Sequence, residues 1–263
     1  MADSLLYPGE RIIDEHSPFA LTDPSGYGKG YEGMHPDGYG ATPYDPLPDS
    51  FLIDRSEWED RANEKEKTQS RLSDIIVYKQ LPPKNQQRTD LCWSFGVTGA
   101  QETVRALMNQ PTVSLSPASV AGPVTGWKNV GGWGYNALKQ GADKGWVPSK
   151  IWPDTAVTSK NLYTAENQKI ALDYRCTEWF KLLPNHLEQA ASCVLQNIPV
   201  PAGYDWWGHL IFLVDLVFIN GVVCFRIRNS WGDIPDFPNG FGILKGNRAI
   251  PNDAVAPRQA IAA

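Results

Sequence analysis

The chain has 263 residues, 42% hydrophobic and 20% charged, an ordinary globular balance with enough length for one large domain or two small ones. No apolar run approaches the roughly 18–20 residues that a membrane span needs, so no membrane partner is expected. A net charge of −5 argues against nucleic acid as the main partner.

The acidity is concentrated at the start. Residues 1–50 hold nine Asp and Glu against Arg11 and Lys29, a net of −7, so the other 213 residues carry +2. The same segment contains seven Gly and seven Pro, too many for a core of its own. It also carries Tyr7, Phe19, Tyr27, Tyr31, Tyr39 and Tyr44. Aromatics at that density predict an extended arm that docks on the chain's own body or on a neighbour. The Gly-Tyr-Gly-Lys-Gly run at 26–30 lacks phosphate-loop spacing and is read as loop. Residues 54–73 are charged with few apolar positions, as in a solvated helix or linker, so residues 1–74 are taken together as arm and linker.

A globular body is expected over residues 75–250, followed by a tail at 251–263. Phe95, Ala100, Val104, Leu107 and Met108 recur at helical spacing, which predicts a helix from Cys92 to Gln110. Gly96 and Gly99 would weaken that helix in isolation, so they predict close packing against another element. Further helices are expected over 136–144 and 185–196. The last third changes period: 210–219 and 222–228 read as strands joined by Asn220-Gly221, a strong hairpin signal, and 240–244 as another strand.

Cysteines stand at 92, 176, 193 and 224 with no C-x-x-C pair, and the four histidines are scattered, so no metal site is expected. Cys176, Cys193 and Cys224 lie in apolar or helical contexts, as reduced, buried small hydrophobes do. That fits a reducing compartment. The opening residues lack a basic region followed by a long apolar stretch, which leads us to expect cytoplasmic synthesis without a secretory signal.

Four separated segments carry chemistry: Gln86, then Cys92-Trp93-Ser94-Phe95, then Gly208-His209, then Asn229-Ser230-Trp231-Gly232. In residue type and chain order they resemble the papain-like cysteine peptidases. The resemblance covers about residues 75–246 and extends to Gly131-Gly132-Trp133. It implies an α+β, two-lobed fold, a helical lobe beside an antiparallel β-barrel-like lobe, here with an N-terminal arm. It also implies a Cys92–His209–Asn229 triad, with Gln86 donating to the oxyanion and Trp231 shielding the His–Asn pair. Gly131, Gly132 and Trp133 would pair with an extended peptide or protein substrate. Trp133, Gly134, Gly208 and Leu210 would border a specificity pocket expected to be apolar. A helix start at Cys92 and an imidazolium at His209 would both favour the thiolate, and such chemistry needs no cofactor.

The chain departs from the family at several places. Thr89 stands where the family has a cysteine, so the associated disulfide cannot form. Asp90 could cap the Cys92 helix, but its carboxylate would disfavour the thiolate, predicting a less acidic thiol. A shortened loop before His209 brings Trp206 and Trp207 forward as a wall of the cleft. A second Trp-Gly after Trp231-Gly232 is replaced by residues 233–238, which loosens the aromatic wall around the histidine. The stretch 54–73 does not match the helical prosegment of the family's zymogens.

Two readings stay open. One is a cysteine endopeptidase cleaving an extended peptide between the lobes. The other is a virion component, of a phage tail, baseplate or capsid, that uses the same fold as a scaffold and grips an assembly partner through the arm.

Overall fold

The computed structural model describes residues 7–18, 26–33 and 46–261. Phe19, His35, Tyr39 and Tyr44 of the arm lie outside the described residues. In chain order the main elements are β1 (Arg11–Ile13), α1 (Trp58–Lys67), α2 (Leu72–Tyr78), α3 (Cys92–Leu107), α4 (Pro117–Thr125), α5 (Gly134–Asp143), α6 (Ala165–Ala171), β2 (Cys176–Lys181), α7 (Leu187–Leu195), β3 (Val200–Tyr204), β4 (His209–Ile219), β5 (Val222–Arg228), β6 (Phe241–Lys245) and β7 (Asp253–Ala260).

The strands form one sheet in the order β1-β6-β5-β4-β3-β7-β2. Its centre is an antiparallel meander. The β4–β5 hairpin turns at Asn220 and Gly221, both at positive φ (52° and 74°), the two-residue turn that matches strand twist. Two large apolar cores lie on either side of the β4 start. One gathers Trp93, Phe95, Val97, Trp146 and Trp152 among helices α3, α4 and α5. The other gathers Trp58, Tyr204, Ile211, Phe225 and Trp231 with α7.

The lobes meet where α3 lies against β4. A Cβ on Gly96 would stand 2.6 Å from Leu210 Cδ2, and one on Gly99 would stand 2.8 Å from the Phe212 ring. The two glycines thus let the helix backbone approach the strand, the close packing their presence predicted.

Four strands differ from the sequence expectation, β3 (Val200–Tyr204) among them. Residues 251–263 were expected to be a tail, but β7 sits inside the sheet between β3 and β2, with its first five residues buried. Its Asp-Ala-Val-Ala-Pro sequence has little β-propensity, so the strand is held by its neighbours. Strand β2 was also not expected, although Thr177, Trp179 and Phe180 suit a strand, and its pairing with β7 carries register shifts. Strand β1 belongs to the arm and adds to β6 in parallel. Arm, body and tail therefore share one sheet. Helix α1 is solvated on one face only, because Trp58 is fully buried and its indole N–H donates to Ile53 O at 3.0 Å.

The arm is pinned just before β1. Arg226 Nε and Nη2 donate to the two Glu10 carboxylate oxygens at 2.7 and 3.2 Å, and Nη1 donates to Asp215 at 2.8 Å. Asp215 is held in turn by the Ser73 hydroxyl and backbone N–H. All three charged groups are buried, so each depends on the others for compensation.

Candidate active site

Cys92 is the first residue of α3, and no side chain caps that helix. Asp90, expected as a cap, instead has its backbone N–H bound to Asn129 Oδ1 at 2.9 Å, and Leu91 takes the N-cap position with a fully buried apolar side chain. The backbone amides of Leu210, Trp93 and Tyr31 favour the Cys92 thiolate. Leu210 follows His209, the first residue of β4.

His209 Nε2 lies 2.9 Å from Asn229 Oδ1. With that oxygen as acceptor, Nε2 carries the proton and Nδ1 is left as a base. Nδ1 has no hydrogen-bond partner among the described residues. Asn229 Oδ1 also accepts from the Ser230 backbone N–H at 2.7 Å, which fixes the amide. Trp231 stacks on the imidazole with centroids 4.8 Å apart and planes at 22°. Trp207 meets the ring edge-on at 5.0 Å. Phe237 and the arm's Tyr27 pack on Trp231 at 5.6 Å each. The aromatic wall is thus rebuilt from residues other than the missing Trp-Gly. Trp206 stacks behind Trp207 at 5.2 Å and is covered by the Arg248 guanidinium.

Gln86 is stitched to the same loop. Its backbone N–H donates to Ser230 O at 2.8 Å, Asn85 bridges Trp231, and the Ser230 hydroxyl donates to Gln86 Oε1 at 2.5 Å. That aims the amide nitrogen into the cleft, where it donates to Gly28 O at 2.8 Å and to Thr89 O at 2.9 Å. Gly28 belongs to the arm.

The arm crosses the whole cleft. Tyr27 lies on Trp231, Gly28 is at Gln86, and the Gly28 N–H donates to Gln87 O at 2.9 Å. Gly30 O accepts from the Gly132 N–H at 2.7 Å, Tyr31 bridges Gly132 in parallel, and the Tyr31 N–H donates to Gly208 O at 3.3 Å. Glycine is required along this path. A Cβ on Gly28 would run into Thr89 O, and one on Gly30 would run into Asp90 O at a backbone φ of +131°. The alternating Gly-x-Gly-x-Gly was the one signal in the sequence for such a close backbone approach.

Burial sets the state of both groups. The Cys92 thiol is pushed up to about 12, by burial first, against the three backbone N–H groups and with a smaller contribution from the Asp90 charge. The His209 imidazole is pushed down to about 4, by burial first, with Asn229 opposing and the Lys29 charge adding to it. Thiol and imidazole are therefore both neutral in this conformation. The thiol is less acidic than usual, as expected, but the main cause is burial and not Asp90.

No family model and no curated protein sequence matches the chain. Its fold does match solved structures. Digestive procathepsin L 3 of the Tenebrio molitor larval midgut superposes with a TM-score of 0.58 over 90% of this chain and 77% of its own, at 20% identity. Xylellain, a cysteine protease from Xylella fastidiosa, gives 0.55 over 68% and 83%, at 17% identity. A structure from work on the mite allergens Blo t 1 and Der p 1 gives 0.54 over 94% and 79%, at 17% identity.

The fold is papain-like. Within it, His209 is joined to Asn229 and Trp231, Gln86 to Ser230, and arm residues 28–31 touch Gln86, Gly132 and Gly208, while no hydrogen bond joins Cys92 to His209 among the described residues. Gly131 adjoins the arm, since a Cβ there would stand 2.6 Å from Gly30 O. Trp133 is half-buried at the N-cap of α5. Leu210 contributes backbone, because its side chain is held between Gly96 and Gly134. All four cysteines are free thiols and buried. Among the described residues no cluster of ligating side chains could hold a metal, and no helix is long and apolar enough to cross a membrane.

Proposed function

We propose that this chain is a papain-like cysteine peptidase that its own N-terminal arm keeps latent. The observation that carries the proposal is the Gln86 amide. It is oriented by Ser230 as an oxyanion donor would be, and it holds a peptide carbonyl, that of Gly28, against the Arg88–Thr89 backbone that leads into Cys92.

Once the arm leaves, water and substrate reach the pair and the burial that keeps both groups neutral is relieved. His209 Nδ1 takes the thiol proton, and the thiolate attacks the scissile carbonyl. Gln86 Nε2 and the Cys92 backbone N–H stabilise the oxyanion, and the imidazolium protonates the leaving amine. Asn229 and Trp231 hold the ring in place and keep it dry. A water then hydrolyses the thioester with His209 as base, regenerating the thiol.

The described middle of the arm is engaged by the chain's own cleft. This favours the peptidase over a virion component that grips a partner through the arm.

The test is covalent labelling by a thiol-directed peptidase probe, with Cys92→Ala as control. Full-length protein should label slowly and Gly30→Ala much faster, at Cys92 alone. Folded Gly30→Ala protein that remains unlabelled would overturn the proposal.

A further inference from the structure

Between α3, β4 and β5 lies a cavity of about 10 Å3, room for one water. Its wall includes Lys84, Glu102, Phe212, Arg228, Asn229 and Ser230. A space that small brings a single occupant close to all of them.

Asn229 is 2% exposed and spends its Oδ1 on His209 Nε2 and on the Ser230 N–H. Its Nδ2 is buried and has no hydrogen-bond partner among the described residues. His209 is not part of the cavity wall, so the Asn229 side chain reaches from the imidazole on one side to the cavity on the other. A buried N–H left unpaired costs about 1–3 kcal/mol.

The wall supplies the acceptor chemistry that this N–H lacks. Glu102 is buried, on the same helix as Cys92. Its Oε1 accepts from the Leu115 N–H at 2.7 Å and from Lys84 Nζ at 2.8 Å. A carboxylate has about four acceptor sites, so capacity for a further donor remains. Lys84 is spent by comparison. Its ammonium also serves Ser114 Oγ at 2.9 Å, Leu115 O at 2.6 Å and Asp154 at 3.3 Å.

We propose that one ordered water in this cavity links Asn229 Nδ2 to the Glu102 carboxylate, which makes Glu102 a positioning residue for the His209 imidazole. This rests on the peptidase reading for its purpose. The water accepts from Nδ2 and donates to Glu102, so the Asn229 amide is held at both ends. An amide turned over would present N–H groups to His209 Nε2, drive the proton onto Nδ1 and remove the base. The Ser230 N–H at one end and the water at the other oppose that turn.

A crystal structure of the full-length parent protein is the first test. It should show an ordered water within about 3.2 Å of both Asn229 Nδ2 and a Glu102 carboxylate oxygen. A dry cavity, or a water that leaves Nδ2 unbonded, would overturn the assignment. The second test is the pH dependence of Cys92 alkylation in the full-length Gly30→Ala background. Glu102→Leu should slow alkylation at neutral pH by about tenfold and move the profile to higher pH. Glu102→Gln, which still accepts, should restore most of the rate. A folded but less stable Glu102→Leu protein with an unshifted profile would mean that Glu102 only supports the fold. If Glu102→Leu does not fold, the crystal structure decides. Peptide hydrolysis in the same background separates this inference from the peptidase. Cleavage with an unshifted Glu102→Leu profile removes the positioning role and keeps the peptidase. A shifted profile with no peptide cleaved keeps the positioning role and counts against the peptidase.

Discussion

His209 shows how burial and catalysis compete within a single side chain. With the arm in place its pKa is pushed down to about 4 from 6.5. The unfolded chain therefore binds a proton through that window while the folded chain does not. The stability this contributes is present above about pH 6.5 and is lost as pH falls through about 4. The urea midpoint should fall over that range, by up to about 3 kcal/mol of stability at the acid end. His209→Gln should have a flatter acid limb than the parent. Equal slopes would mean that the imidazole is not held neutral. Cys92 is buried in the same way, so its alkylation should stay slow at neutral pH for as long as the arm is docked.

At the scale of elements, the arm is a strap with two attachments of different kinds. The crossing segment at 26–33 depends on backbone approach. A methyl group at Gly28 or Gly30 collides with the backbone of Thr89 or Asp90, which is unable to yield as a flexible side chain would. Gly28→Ala and Gly30→Ala should each raise the Cys92 labelling rate about tenfold or more while the far-UV spectrum is kept, given overpacking costs of about 1–3 kcal/mol. Unchanged rates would show that the crossing is loose. The other attachment is β1 with Glu10 on Arg226. Glu10→Gln removes one of the two carboxylates, Glu10 and Asp215, that pair with the buried guanidinium, which should cost about 3 kcal/mol in urea unfolding. Loss of less than about 0.5 kcal/mol, the range of ordinary surface substitutions, would mean that β1 is not clamped through this cluster.

For the whole molecule, the parts legible in the sequence were those written in local spacing. Helix α3, the Asn220-Gly221 hairpin and the close approach at Gly96 and Gly99 all follow from neighbouring residues. The motif segments at 86, 92, 209 and 229 could be read because they occur together, in residue type and chain order, although His209 or Asn229 alone carries little signal. What could not be read depends on distant partners. Strand β7 is built from weak strand formers and exists because β3 and β2 flank it. Gly203 brings the Tyr31 ring and the Asp253 carboxylate close together from distant parts of the chain, so no local pattern marks it. Most of all, the arm's Gly-x-Gly-x-Gly was legible as a loop but not as an occupant of the cleft. Its meaning lies in the backbone of Thr89, Asp90 and Gly132.

The central claim is that a working thiol site lies under a strap made of the same chain. It is tested most directly by peptide hydrolysis with purified full-length protein, comparing the parent, Gly30→Ala and Gly30→Ala/Cys92→Ala. The parent should show little turnover, Gly30→Ala at least about tenfold more, and the double variant none. A folded Gly30→Ala protein with its Cys92 accessible to alkylation but no hydrolysis of any peptide would contradict it.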